Sequence, residues 1–201
     1  MVPAPLRRAL YFWALPNFPD RRYLVSEIIP LISQRGVVRV LFVGCGRGNE
    51  GYWRLFAQHN VEVWTIDNDP AVARWGAPDH HITGDASTLH EMQDLPKFDC
   101  IIFNGVLGYG IDGVEAAQHT FIGFAQILAP KSLLIIGWNT DATVDPRTLP
   151  ALREMFEDLQ DPSVPARRRF EGSTHVYDFL VRGTTVPIER EAGGHSGSDR
   201  P

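Results

Sequence analysis

Apolar residues along this chain follow two rhythms. Short runs dense in Val, Ile, Leu and Phe alternate with longer stretches in which apolar positions return every three or four residues. The first rhythm predicts strands buried on both faces, and the second predicts amphipathic helices. Strands are predicted at Val37–Val43, Val61–Ile66, Phe98–Phe103 and Ser132–Trp138, with a weaker one at His80–Thr83. Helices are predicted over Asp20–Ser33, from Asn49 to about His59, after Pro70, over residues 87–93, over Gly113–Ala129 and over Arg147–Leu159. The Gly113–Ala129 segment has the clearest stripe, with Val114, Ala117, Phe121, Phe124, Ala125 and Leu128 on one face. Pro30 should kink the first helix, because it has no N–H to donate. Two more runs, Arg167–Glu171 and His175–Val181, flank Gly172-Ser173-Thr174 and read as an antiparallel hairpin.

Strands alternating with helices build an α/β domain with a mostly parallel sheet covered on both faces. Residues 36–182 should hold that domain. Residues 1–35 should form an arm and a helix covering one end, and the Gly/Ser/charge-rich residues 183–201 should be a disordered tail. In such a sheet, ligands bind beyond the carboxyl ends of the strands. Polar residues gather at those ends here. Gly44, Cys45, Gly46 and Gly48 follow the first strand, where glycines permit a tight turn and a close backbone approach. Asp67 and Asn68 follow the second. Asp67 lies 23 residues after Gly44, near the spacing at which an acid accepts from ribose hydroxyls. Asp85 and Ala86 follow the third strand, Asn104 and Gly105 the fourth, and Trp138 and Asn139 the fifth.

The glycine loop, Asp67, the Gly84-Asp85-Ala86 step, the Asn104 loop and the Ile127–Leu134 turn together resemble the successive motifs of the class I S-adenosylmethionine-dependent methyltransferases. The resemblance spans roughly residues 36–182. It implies a Rossmann-like three-layer sandwich whose mostly parallel seven-stranded sheet ends in an antiparallel C-terminal hairpin strand. It also implies S-adenosyl-L-methionine as cofactor and methyl transfer to a small-molecule substrate. By the same resemblance, Gly44, Cys45 and Gly46 border the methionine moiety and Asp67 holds the ribose. Asn68 flanks the adenine, Asp85 and Ala86 meet its edge, and Asn104 and Gly105 border the sulfonium and acceptor. The chain departs from the family pattern at Phe42, where an acid is usual, and at Lys131-Ser132, where glycines are usual. No general base emerges, so the catalytic residue is unassigned. Two other readings stay open: an NAD-dependent oxidoreductase, and a non-catalytic S-adenosylmethionine-binding regulatory subunit. The dinucleotide fingerprint places its third glycine three positions after the second, whereas Gly48 follows Gly46 by two.

Composition narrows the setting. The 201 residues are 44% hydrophobic and 21% charged, with a formal net charge of −5, so nucleic acid is not an expected partner. Arg167-Arg168-Arg169 is the one basic cluster and reads as a solvated edge. No apolar run approaches the ~20 residues that span a bilayer, so no membrane partner is expected. Arg7-Arg8 and the apolar residues after them are not read as a signal peptide, because they lack a small-residue cleavage site and continue into Pro16-Asn17-Phe18-Pro19. Cys45 and Cys100 sit at opposite strand ends, too far apart for a disulfide, which suits a reducing, cytoplasmic setting. Cys45 reads as a small loop filler rather than a reactive thiol, and Trp138 equally as core or pocket wall. Asp99 reads as structural, Asn49 as a helix cap, and His80, His81 and His119 as surface or packing residues. No metal-ligand spacing occurs. Tyr11, Phe12, Trp13 and Phe18, with the Gly105–Asp112 loop, should either roof an acceptor pocket or pack the first helix.

Overall fold

Eight strands make one sheet in the computed structural model, which describes residues 18–49 and 51–184. They are β1 (Arg39–Val43), β2 (Glu62–Asp67), β3 (His81–Thr83), β4 (Phe98–Asn104), β5 (Leu128–Asn139), β6 (Phe156–Asp158), β7 (Arg167–Arg169) and β8 (His175–Arg182). The order across the sheet is β3-β2-β1-β4-β5-β8-β6. Strands β1 to β5 run parallel, and β8 is antiparallel to β5, β6 and β7. The sheet grows one way from β1 to β3 and the other way from β4 onward, so its switch point lies between β1 and β4. That is where a parallel sheet opens a crevice for a ligand.

The helices are α1 (Pro19–Tyr23), α2 (Ile29–Gln34), α3 (Tyr52–Gln58), α4 (Val114–Ile127) and α5 (Pro150–Met155). Successive strand residues face opposite ways, so the sheet serves two cores. Val40, Phe42, Ile102 and Ile135 pack with Ile32 of α2 and Phe56 of α3. Leu41, Val43, Ile101 and Ile136 pack with Phe121 and Phe124 of α4 and Leu152 of α5. Phe103 meets Phe124 edge-on at 5.2 Å. Burying each such ring contributes about 1.5–3 kcal/mol.

Pro30 acts as expected, by a defined route. The helical run opens into a π turn at Leu24–Ile28, and the Ile29 N–H reaches back five residues to the Leu24 carbonyl. Proline cannot supply the next bond, so the turn before it widens. After β1 the chain forms a short 3-10 turn at Arg47–Asn49, and the α-helix begins only at Tyr52 with Gly51 as its cap. Asn49 therefore caps no α-helix.

The helix expected over Arg147–Leu159 is interrupted. Pro150 starts α5, which stops at Met155, and Phe156–Asp158 turns extended to pair with β8. The apolar returns at Leu152, Met155 and Leu159 suit a helix, but β8 offers an unpaired edge that captures the last turn. β6 and β7 sit end to end along that edge, opposite Leu180–Arg182 and Val176–Asp178 respectively. Eight strands thus make a sheet seven positions wide. Lys131, where the resemblance leads one to expect glycine, takes φ +65°, inside an irregularity in the β4–β5 register.

Arg167 is not a solvated charge. Its guanidinium donates to Asp145 at 2.6 and 2.7 Å and to the fully buried Asp178 at 2.6 and 2.9 Å. Asp178 also accepts from Arg147 Nε at 2.7 Å and from Trp138 Nε1 at 2.8 Å. This network fastens the hairpin to β5. Trp138 is 2% exposed and belongs to the core.

Candidate functional site

The turn after β1 is built around Gly44. It has φ +90°, and a Cβ there would lie 2.7 Å from Val106 Cγ2. Its N–H donates to the Ile66 carbonyl of β2. At the end of β2, Asp67 reaches back to fasten the loop: one oxygen accepts from the Cys45 N–H at 2.7 Å, the other from the Asp69 N–H at 2.9 Å. The carboxylate keeps free lone pairs beyond those two bonds. Asp85, after β3, accepts from the Ser87 N–H at 2.8 Å. Asn104, ending β4, lies over Gly137 of β5, where a Cβ would collide with its amide oxygen. That oxygen is buried and has no hydrogen-bond partner among the described residues.

These strand ends enclose a cavity of about 250 Å³. Of the residues expected at the site, Gly44, Cys45, Asp67, Asn68, Asp85, Ala86, Asn104 and Gly105 line it. Gly46 does not; its carbonyl accepts from the Asn49 N–H inside the loop, and Asn49 takes a place on the wall. A second cavity, about 570 Å³, adjoins the first. The two share Arg21, Asn104, Gly105 and Tyr109, and the outer one is bounded by Phe18, Asp20, Asn139, Glu171, Ser173 and His175. Of the expected roof, Tyr11, Phe12 and Trp13 lie outside the described residues.

Arg21 was not singled out by any motif, since an arginine on the first turn of a helix carries no local signature. Its Nη1 lies 3.4 Å from the Tyr52 hydroxyl, bridging α1 to α3 at the mouth of the inner cavity. Phe42 points away from the cavity into the helical core, edge-on to Trp53 at 5.2 Å. The charged side chains that line the cavity are thus Arg21, Asp67 and Asp85, and position 42 contributes none. His175 opens β8, a strand that also carries Tyr177 and Asp178. Its Nδ1 lies 2.7 Å from Asn139 Oδ1.

Burial pushes the Cys45 thiol up to about 12, so it fills the loop as a neutral thiol. Asp99 accepts from the Val38 and Arg39 N–H groups at 3.1 and 3.0 Å. His80 stacks on Trp64 at 4.7 Å, and His81 Nδ1 meets Thr65 Oγ1 at 2.9 Å; neither lines either of these two cavities. Among the described residues, one group could hold a metal ion: ligating atoms of His90, Glu91 and His119 lie within 4.8 Å of one another. Sequence spacing conceals it, because a 3-10 turn has to pack on α4 to form it. None of the three lines either cavity.

No protein-family model matches the chain, and no curated protein matches its sequence. Solved structures do match in fold. The N-methyltransferase NodS from Bradyrhizobium japonicum WM9 aligns with TM-score 0.61 at 16% identity, over 84% of this chain and 98% of NodS. Its complex with S-adenosyl-L-homocysteine aligns with TM-score 0.60 at 18% identity, over 86% and 92% of the two chains. A TehB-like SAM-dependent methyltransferase from Corynebacterium glutamicum ATCC 13032 aligns with TM-score 0.59 at 17% identity, over 90% of this chain and 100% of that one. The Burkholderia thailandensis 1,6-didemethyltoxoflavin-N1-methyltransferase, solved with its substrate and S-adenosylhomocysteine, gives 0.55 at 18%, over 92% of both chains. The chain thus has the Rossmann-like fold of the class I S-adenosylmethionine-dependent methyltransferases.

Proposed function

We propose that the chain is an enzyme that transfers a methyl group from S-adenosyl-L-methionine to a small-molecule acceptor. One observation carries this reading. The glycine loop, Asp67, Asp85, Ala86 and Asn104 come from four different strand ends and converge on one cavity at the switch point of a methyltransferase-like sheet.

The residues suit the cofactor's parts. Asp67 has lone pairs left for two ribose hydroxyls, and Asp85 with Ala86 offers an acceptor and an apolar edge to adenine. Gly44 gives the close approach that a Cβ would block. Arg21 offers a cation to the methionine carboxylate, while Phe42 supplies no acid for the ammonium. The unpartnered Asn104 oxygen supplies an acceptor beside the sulfonium and ammonium. The cofactor's sulfonium is itself a good leaving group, so the chain has mainly to position the acceptor and exclude water. The outer cavity is the acceptor compartment, sized for a small molecule and not for a nucleic acid strand. Both cysteines are free, in keeping with a reducing cytoplasmic setting, and no helix among the described residues is long and apolar enough to cross a membrane.

Calorimetric titration separates this from dinucleotide chemistry. S-adenosylhomocysteine should bind one per chain while NAD leaves no heat. Binding of NAD with none of S-adenosylhomocysteine would overturn the assignment.

A further inference from the structure

The outer cavity contains a group arranged to take a proton. His175 is 8% exposed and lines that cavity. Its Nδ1 lies 2.7 Å from Asn139 Oδ1, while the nitrogen of the same amide faces the Tyr109 hydroxyl at 3.5 Å. An amide oxygen can only accept, so Nδ1 holds the ring proton and Nε2 presents a bare lone pair. Nε2 is buried and has no hydrogen-bond partner among the described residues. Asp20 and Arg21 of α1 and Glu171 of the hairpin bound the same cavity, and the Tyr177 ring stands 4.8 Å away. Burial leads among the influences on this ring, with Asp20 and Arg21 acting in opposite directions, and holds it neutral down to about pH 4.

We propose that His175 Nε2 is the base of the reaction and that the acceptor seated in the outer cavity carries a hydroxyl group. This deepens the methyl-transfer reading and rests on it. In the step, an oxygen lone pair forms the new bond to the methyl carbon as the carbon–sulfur bond breaks, leaving a neutral thioether. The hydroxyl becomes an oxonium and so turns strongly acidic while the bond forms. Its proton passes to Nε2, giving an imidazolium paired with Asn139, and then to solvent. A weakly basic imidazole is sufficient for that late transfer. An amine acceptor would end as an ammonium far less acidic than this ring's imidazolium and would give it no proton, so the site suits oxygen better than nitrogen.

Two measurements on the full chain test the proposal. Long-range proton–nitrogen spectra of histidine-labelled protein should show His175 protonated on Nδ1 and bare at Nε2. An Nε2–H tautomer, or titration near its ordinary value of about 6.5, would overturn it. Transfer from S-adenosylmethionine should also be run over phenols and alcohols matched with amines of the same skeleton. Hydroxyl members should be methylated, and H175Q should lower kcat by about 10²–10⁴-fold while leaving the KM for S-adenosylmethionine within about twofold. Turnover confined to amines, an unchanged kcat in H175Q, or no turnover of any hydroxyl member by protein that binds S-adenosylhomocysteine would each refute it. Should H175Q not fold, the wild-type spectrum and the oxygen-over-nitrogen preference still decide. Failure to bind S-adenosylhomocysteine would remove the methyl-transfer reading instead, with the tautomer spectrum unchanged.

Discussion

Replacing Asp67 with asparagine changes one oxygen to an amide nitrogen and little else in size. In the native loop both oxygens accept backbone N–H groups, from Cys45 at 2.7 Å and Asp69 at 2.9 Å. Asparagine can accept from only one of them and turns a donor toward the other. One charge-assisted bond of about 1.5–3 kcal/mol is lost, and partial exposure of Asp67 lets water recover some of it. A net loss of about 1–2 kcal/mol should lower Tm by about 2–8 °C in a chain of this size. Binding should suffer separately, because the charged acceptor for ribose is gone. Losing about 1.5–3 kcal/mol there weakens S-adenosylhomocysteine about 10- to 150-fold. Calorimetric titration well below the variant's Tm reads this effect apart from the loop's. A dissociation constant within about twofold of wild type, alongside a lowered Tm, would show that Asp67 only ties the loop and that the ribose assignment is mistaken.

Three further outcomes are expected. Asp178→Ala leaves Arg147, Arg167 and the Trp138 N–H without their shared acceptor and should cost about 3–5 kcal/mol in urea unfolding; a loss under about 1 kcal/mol would mean the network does not hold the hairpin. Lys131→Gly relieves a left-handed backbone at φ +65° and should raise Tm slightly, a gain of up to about 1 kcal/mol; a lower Tm refutes the strain. The pH dependence follows from burial of His175, whose folded pKa is pushed down to about 4. Above its ordinary value of about 6.5 both states are neutral and nothing changes; as pH falls from there to about 4, only the unfolded chain takes up the proton and stability drains away, by at most about 3 kcal/mol. Urea midpoints across that window should fall in wild type more steeply than in H175Q, and parallel curves would show that burial does not suppress this protonation.

The strands and the ligand-facing ends were readable because each rests on local pattern: apolar runs for β1, β2, β4 and β5, and polar residues immediately after them. What the sequence concealed depends on packing between distant segments. β6 forms because β8 has an edge to fill, a fact absent from residues 147–159 themselves. Arg167 leaves solvent because Asp178 lies across the hairpin and Asp145 reaches it from the turn after β5, neither of which its two arginine neighbours reveal. Arg21 and His175 join the site through α1 and the antiparallel last strand, neither of which belongs to the glycine-loop pattern. Asn49 has the side chain of a helix cap, but the α-helix begins three residues later at Tyr52, because Gly51 and not Asn49 ends the loop.

Arg21, Asn104, Gly105 and Tyr109 face both compartments at once. Whatever occupies one side restricts the motions of side chains that the occupant of the other side must also meet. Occupancies on the two sides should therefore be thermodynamically linked, each altering the other's affinity by the same factor. A search for the acceptor is best carried out with S-adenosylhomocysteine saturating, because the partition then already has the conformation in which the acceptor meets it.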